Sequence, residues 1–260
     1  MKAINSLAPI FVSLALVACG PPSQSGFAGD GVGIIKGENV TTESENAKSV
    51  VALVIKVKSG ERICTGSLLD SQTVLTAAHC MDDNPEKIGV VFGVKIKGVK
   101  KNDLRTAGNF LQHPLWAHPS GAGHGDLAVV HFEGGPVSGF EPVELAEKDF
   151  LKAGVEMQLM GFGVSDAVKR KGAGILRETV STYLRPYSDT EFVTDGHSTG
   201  VCFGDSGGPA FVKEKGGFRQ IGIASAVTGD KCNQIDVYTN VVPYLNWIRA
   251  AAKHLSKPVK

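Results

Sequence analysis

The chain has 260 residues, 20% of them charged, and a formal net charge of +1. That length suits one large domain or two small ones with a sizeable core. The near-neutral balance excludes the basic surface of a nucleic-acid binder and gives no sign of a strongly acidic partner. The basic run at 95–101 (KIKGVKK) is short and interrupted, and reads as a solvated strand or loop face. At the N-terminus, Lys2 precedes an apolar run over residues 7–18, broken once by Pro9. One positive charge followed by a hydrophobic stretch too short to span a bilayer is an export signal, assigned here to residues 1–18.

The signal ends in Leu16-Val17-Ala18-Cys19-Gly20. This resembles the bacterial lipoprotein signal, in which the cysteine thiol receives the lipid. The resemblance implies a membrane tether at Cys19, held by several acyl chains. Gly20 in place of aspartate implies the outer membrane by Gram-negative sorting rules. The alternative is an ordinary signal cut after Gly20. The remaining cysteines are Cys64, Cys80, Cys202 and Cys232, an even number in an exported chain. Four cysteines allow three pairings, and spacing does not choose among them.

Residues 21–33 (PPSQSGFAGDGVG) are rich in Pro, Gly and Ser and read as a linker, so 19–33 is assigned as tether and propeptide. From Ile34 the composition changes. Short β-rich runs are expected at 50–58, 62–69, 73–76, 89–94, 127–132, 156–161, 218–226 and 236–241. Turn residues separate them, at 59–60, 82–85, 134–136 and 216–217. Many short strands with few helical patterns predict an all-β sandwich or barrel. One helix is expected at the end. Pro243 suits a first turn, and Tyr244, Leu245, Trp247, Ile248, Ala251 and Leu255 recur at helical spacing.

The chemistry is carried by three segments. Gly204 to Pro209 reads GDSGGP. A serine hydroxyl is a poor nucleophile unless a base stands within hydrogen-bond reach and a third group orients that base. Thr76-Ala77-Ala78-His79-Cys80 and Gly125-Asp126-Leu127-Ala128-Val129-Val130 supply a histidine and an acid. TAAHC, GDLAVV and GDSGGP in this order resemble the trypsin/chymotrypsin-like serine proteases. The resemblance runs from about Ile34 to the C-terminal helix.

It implies two six-stranded antiparallel β-barrels packed together with a C-terminal α-helix. The protease domain would be 34–260, with the halves meeting near 135–150. Ser206 would be the nucleophile, His79 the base and Asp126 the orienting acid. The N–H groups of Gly204 and Ser206 would form the oxyanion hole. Ser225 matches the serine that hydrogen-bonds the acid. The resemblance also implies the disulfides Cys64–Cys80 and Cys202–Cys232.

Ile34-Ile35-Lys36-Gly37 resembles the new N-terminus of activated members, usually Ile-Val-Gly-Gly. The freed Ile34 ammonium would pair with Asp205. The preceding residue is Gly33, not Lys or Arg, so the cut needs a protease acting after glycine or lies elsewhere. The alternative for Ile34-Ile35 is an ordinary first-strand pair.

In the specificity pocket, Gly200 stands where trypsins have the basal Asp. Asp236, at a position usually glycine, would place an acid in the wall. Val227 would narrow the mouth. These residues leave two choices open, cleavage after basic residues or after small apolar ones. His113, followed by Pro114, resembles a surface-strand segment of the family. His118, His124, His131, His197 and His254 show no metal-ligand spacing, and HExxH is absent, so no metal and no cofactor are expected.

The expected function is a monomeric secreted serine endopeptidase acting on proteins or peptides, with no nucleic acid. It would be tethered through Cys19 before activation, then released to the periplasm or the exterior. One alternative is a catalytically silent protease homologue used as a binding module. An esterase-like hydrolase is disfavoured because the GxSxG elbow is missing.

Overall fold

The computed structural model describes residues 34–41, 43–116, 124–229 and 231–257. The export signal, Cys19 and the 19–33 tether lie outside the described residues, as does His118. A short strand β1 (Glu38–Asn39) opens the described chain. Then β2 (Val50–Val57), β3 (Gly60–Leu68), β4 (Thr73–Thr76), β5 (Lys87–Val91), β6 (Leu104–Gln112) and β7 (Ala128–Phe132) close an antiparallel barrel in the order β2-β3-β4-β7-β6-β5. A second set follows: β8 (Glu156–Gly161), β9 (Arg177–Ser188), β10 (Glu191–Asp195), β11 (Pro209–Glu214), β12 (Gly217–Val227) and β13 (Ile235–Asn240). Their order is β9-β10-β13-β12-β11-β8, and β8 pairs with β9 to close the ring. Strand β1 pairs antiparallel with the start of β9, at Arg177 and Glu178.

Strand β2 reads VVALVIKV, an apolar run without the usual alternation. The reason is that both of its faces are covered. Val51, Leu53, Ile55 and Val57 enter the core of the first barrel. Val50 and Ala52 point the other way, into a cluster with Met160, Phe162 and Phe211 of the second. Successive side chains on a strand alternate faces, so one strand serves two cores. The second barrel is filled by Met157, Leu159, Phe192, Val212, Ile221 and Tyr238, and Ile34 joins them.

The helix begins with a 3-10 turn (Val242–Tyr244) and continues as α1 (Leu245–Leu255). Its Ile248, Ala251 and Ala252 complete the core of the first barrel, so the end of the chain returns to its beginning. Strands β1, β6, β9, β10 and β11 are not among the runs expected from the sequence. β9 exposes Val180 and Leu184 while burying Ser181, and β6 contains Gly108, so neither shows a clean apolar period. β11 begins on Pro209, which is tolerated at a strand's first residue.

Phe92 anchors one end of the first core, edge-on to Phe132 at 5.6 Å and to Phe140 at 5.0 Å. Phe92→Ala should lower the free energy of unfolding by about 3–5 kcal/mol, measured by urea denaturation.

Candidate active site

Residue His79 lies in the 3-10 turn Ala78–Met81, directly after β4. The next residue, Cys80, is bonded to Cys64 in β3, which staples this turn to the barrel wall. Asp126 sits just before β7, 1% exposed. It grips the histidine twice. Oδ2 meets His79 Nδ1 at 2.8 Å, and Oδ1 accepts the His79 backbone N–H at 3.0 Å.

The second barrel holds the same acid. Ser225 Oγ in β12 donates to Asp126 Oδ2 at 2.6 Å, and Thr239 Oγ1 in β13 donates to the Asp126 carbonyl at 3.2 Å. Burial pushes the His79 pKa down, but the hydrogen bond and charge of Asp126, with the charge of Asp82, outweigh it and raise it above the ordinary 6.5. The imidazole is therefore a stronger base than a free one, held with one edge open to solvent.

Ser206 stands on a loop between the two barrels. Its carbonyl accepts the Thr65 N–H from β3 at 2.8 Å and lies 3.7 Å from Cys80 Sγ, which brings the serine against the histidine turn. Thr65 Oγ1 donates to the Gly204 carbonyl at 3.0 Å. Gly207 takes φ +82°, and a Cβ there would lie 2.0 Å from Thr76 Oγ1, so only glycine lets the chain leave the serine at this point. Among the described residues, the N–H groups of Gly204 and Ser206 donate to no protein acceptor. The Ser206 hydroxyl and the imidazole do not bond directly in this state. Such bonds are commonly long before substrate arrives.

Beside Ser206 opens a cavity of about 240 Å³, lined by Val201–Phe203 on one side and Ala224–Val227 on the other. Cys202–Cys232 ties the first wall to the loop after β12. Val227 lines this cavity, whereas Gly200 and Asp236 lie behind its wall. Asp236 is fully buried, with Oδ2 accepting the Val201 N–H at 3.1 Å, and burial pushes its carboxyl up to about 8. Gly200 makes room for it, since a Cβ at that position would stand 2.4 Å from Asp236 Oδ2.

Asp205, next to the serine, is also fully buried. Its oxygens accept the N–H of Gly163 at 2.7 Å and of Cys202 at 2.8 Å. Burial pushes its carboxyl up to about 7, against those two bonds and the charge of Arg177. Ile34 is buried in the second core at φ +36°, a conformation strained for a β-branched residue. The neighbouring Ile35 N–H bonds the Gly200 carbonyl at 2.9 Å.

Two groups near the site carry no motif. Asp82 Oδ1 accepts the Gln112 amide at 2.9 Å and the Trp116 indole N–H at 3.1 Å, and the indole stands 6.3 Å from the His79 ring. Phe203 lines the cavity and is 37% exposed. Asp82 is three residues past His79, which is its only sequence signal. Of the other histidines, His113 is edge-on to Tyr244 and Trp247, at 4.8 Å from each. It is half-buried in the seat of the C-terminal helix.

A family model described as Trypsin matches residues 34–248. Over 220 residues the chain is 29% identical to chicken (Gallus gallus) urokinase-type plasminogen activator, covering 72% of this chain and 50% of that protein. It is 26% identical over 218 residues to dog (Canis lupus familiaris) hepatocyte growth factor activator serine proteases, covering 73% of this chain and 33% of that protein. The chain thus spans half the length or less of these curated relatives. A solved structure of HL collagenase superposes with a TM-score of 0.70 at 22% identity, over 84% of this chain and 98% of the other. That likeness establishes a shared fold.

An NMR titration should place the His79 ring above 6.5. In Asp126→Asn the Asp126 charge is gone while burial and Asp82 remain, so the same ring should titrate lower than in the parent protein.

Proposed function

The chain belongs to the trypsin family, and from that premise we propose that it is a secreted serine endopeptidase with Ser206, His79 and Asp126 as its triad. The observation that carries this reading is the doubly held His79–Asp126 pair, backed by Ser225 and set against the loop of Ser206. In the proposed reaction Ser206 Oγ attacks the scissile carbonyl carbon as His79 Nε2 takes its proton. The imidazolium then returns that proton to the leaving amine, giving an acyl-enzyme that water hydrolyses by the same exchange. The free N–H groups of Gly204 and Ser206 would receive the oxyanion. Asp126 keeps Nδ1 protonated, so that Nε2 is the free base. Neither metal nor cofactor enters this scheme.

Activation is proposed to follow cleavage before Ile34. A fully buried carboxyl at Asp205 has no cation within ion-pair reach among the described residues, and burial has already pushed it up to about 7. An ammonium delivered there would be paired at once. Losing one partner of such a pair typically costs about 3–5 kcal/mol. Cutting the chain also frees Ile34 from its strained φ. Because the lipid site at Cys19 lies ahead of this bond, the same cut would release the domain from the outer membrane to the periplasm or exterior. Two disulfides suit an exported protein. The proposed substrates are proteins or peptides, cut by a monomer.

For the pocket, Asp236 favours basic side chains and Val227 favours small apolar ones. Val227 lines the cavity, whereas a basic side chain would have to reach the Asp236 carboxyl behind Gly200 and ionise it against its burial.

A fluorophosphonate probe should label Ser206 in the processed protein and not in Ser206→Ala. Absence of the adduct would leave the silent-homologue reading in its place. Asp126→Asn should cut turnover by roughly 10⁴-fold, the magnitude being that of the general serine-protease template. Mass spectrometry should show the active form starting at Ile34; an active continuous chain with acylated Cys19 would overturn the release step. Asp236→Gly should reduce Arg and Lys cleavage relative to Ala and Val in chromogenic substrates. Unchanged Arg cleavage would remove Asp236 from specificity.

A further inference from the structure

A tight turn beside the active-site cavity has no part in the scheme above. Residues 165–171 fold back on themselves. The N–H groups of Ser165 and Asp166 donate to the Lys171 carbonyl at 2.9 and 3.2 Å, and the Lys171 N–H returns to the Asp166 carbonyl at 3.2 Å. Asp166 Oδ1 also accepts the Lys169 N–H at 2.9 Å, and its Oδ2 pairs with Lys169 Nζ at 3.3 Å. These bonds hold Arg170 at φ +51°, a left-handed conformation rare for a residue with a long side chain. Gly172 closes the turn at φ +90°, where a Cβ would lie 1.9 Å from Ser165 Oγ. At its root, the Val164 N–H bonds the Phe203 carbonyl at 2.8 Å, so the turn is fastened to the loop that carries Ser206.

The strained backbone aims one side chain. Arg170 Cζ stands 3.7 Å from the centroid of the Phe203 ring, and Phe203 lines the cavity beside Ser206. A guanidinium centred over a ring at this distance leaves N–H donors free to match a carboxylate. Among the described residues no carboxylate lies within 4.0 Å of Arg170, because Asp166, the acid of its own turn, is engaged by Lys169. Lys171 adds a further exposed cation. The edge of the active-site cavity therefore carries a fixed, unpaired positive charge.

We propose that the 165–171 turn is a substrate-recognition lip, in which Arg170 takes an acidic side chain of the substrate near the bond held at Ser206. The proposal rests on the endopeptidase reading and narrows its substrates to chains with Asp or Glu close to the cleaved bond. Such a pair differs from any contact inside the cavity itself. It selects a neighbouring residue, and leaves the pocketed side chain to Val227 and Asp236.

The test compares peptide pairs that differ only by Asp or Glu against Asn or Gln at each of three positions on either side of the cleaved bond. The processed protein should cleave the acidic member of at least one pair about three- to fivefold faster in kcat/KM, the size expected of a solvent-exposed ion pair. The preference should shrink as salt is raised. Arg170→Ala should abolish it while leaving the amide peptides unaffected, and Arg170→Lys should restore part of it. Cleavage of acidic and amide peptides at equal rates would overturn the lip, as would a preference undiminished in Arg170→Ala. Binding of the same peptides to processed Ser206→Ala, read by fluorescence polarisation, separates the two readings. Acid-selective binding without any cleavage by the parent protein would keep the lip and sink the endopeptidase. Binding without acid selectivity would sink the lip.

Discussion

One buried carboxylate is shared between the two barrels, and the arrangement of the site depends on it. Asp126 belongs to the first barrel by sequence, but Ser225 and Thr239 of the second hold its side chain and its carbonyl. An ionised acid in a low-dielectric seam is stable only when its oxygens are occupied by donors. Here the donors come from the histidine turn and from the opposite barrel. If the barrels shifted against each other, Asp126 would lose its bonds to Ser225 and Thr239.

The same seam carries other cross-barrel ties. Thr65 in β3 bonds the Gly204 and Ser206 carbonyls and accepts the Phe162 N–H through its hydroxyl at 3.0 Å. Ser67 in the same strand donates to Gln220 in β12 at 2.6 Å, fully buried. Around these polar ties lie Val50, Ala52, Met160, Phe162 and Phe211. The apolar cluster supplies adhesion, and the directional bonds supply register. A proposed nucleophile on one side and its base on the other then need no large motion to meet, since Ser206 already touches Cys80 next to His79.

Burial treats the three acids of this region differently. Asp126 receives donors on both oxygens. Asp205 receives two backbone N–H groups and, among the described residues, no ion pair, so burial raises it. Asp236 is raised by burial and by the neighbouring charges of Asp205 and Asp195, against the Val201 N–H. The proposed roles differ accordingly: an acid that orients His79, a seat for an ammonium, and an acid behind the pocket wall.

The sequence by itself determined the strand-rich class, the final helix and the three short segments that hold His79, Asp126 and Ser206. These were legible because apolar runs, turn residues and local motifs are properties of neighbours along the chain. Five strands were not legible: β1 is two residues long, and β6 and β9 bury and expose residues according to what packs on them and not by a clean alternation. Cysteine spacing alone left three pairings open, and only the family resemblance selected among them. Tertiary structure alone decided that Asp82 carries Trp116 and Gln112 beside His79, that Asp236 lies behind Gly200 and off the cavity wall, and that Arg170 covers Phe203. Each of those contacts joins residues from separate stretches of chain. Such contacts exist only once the barrels have closed and brought their loops to one seam.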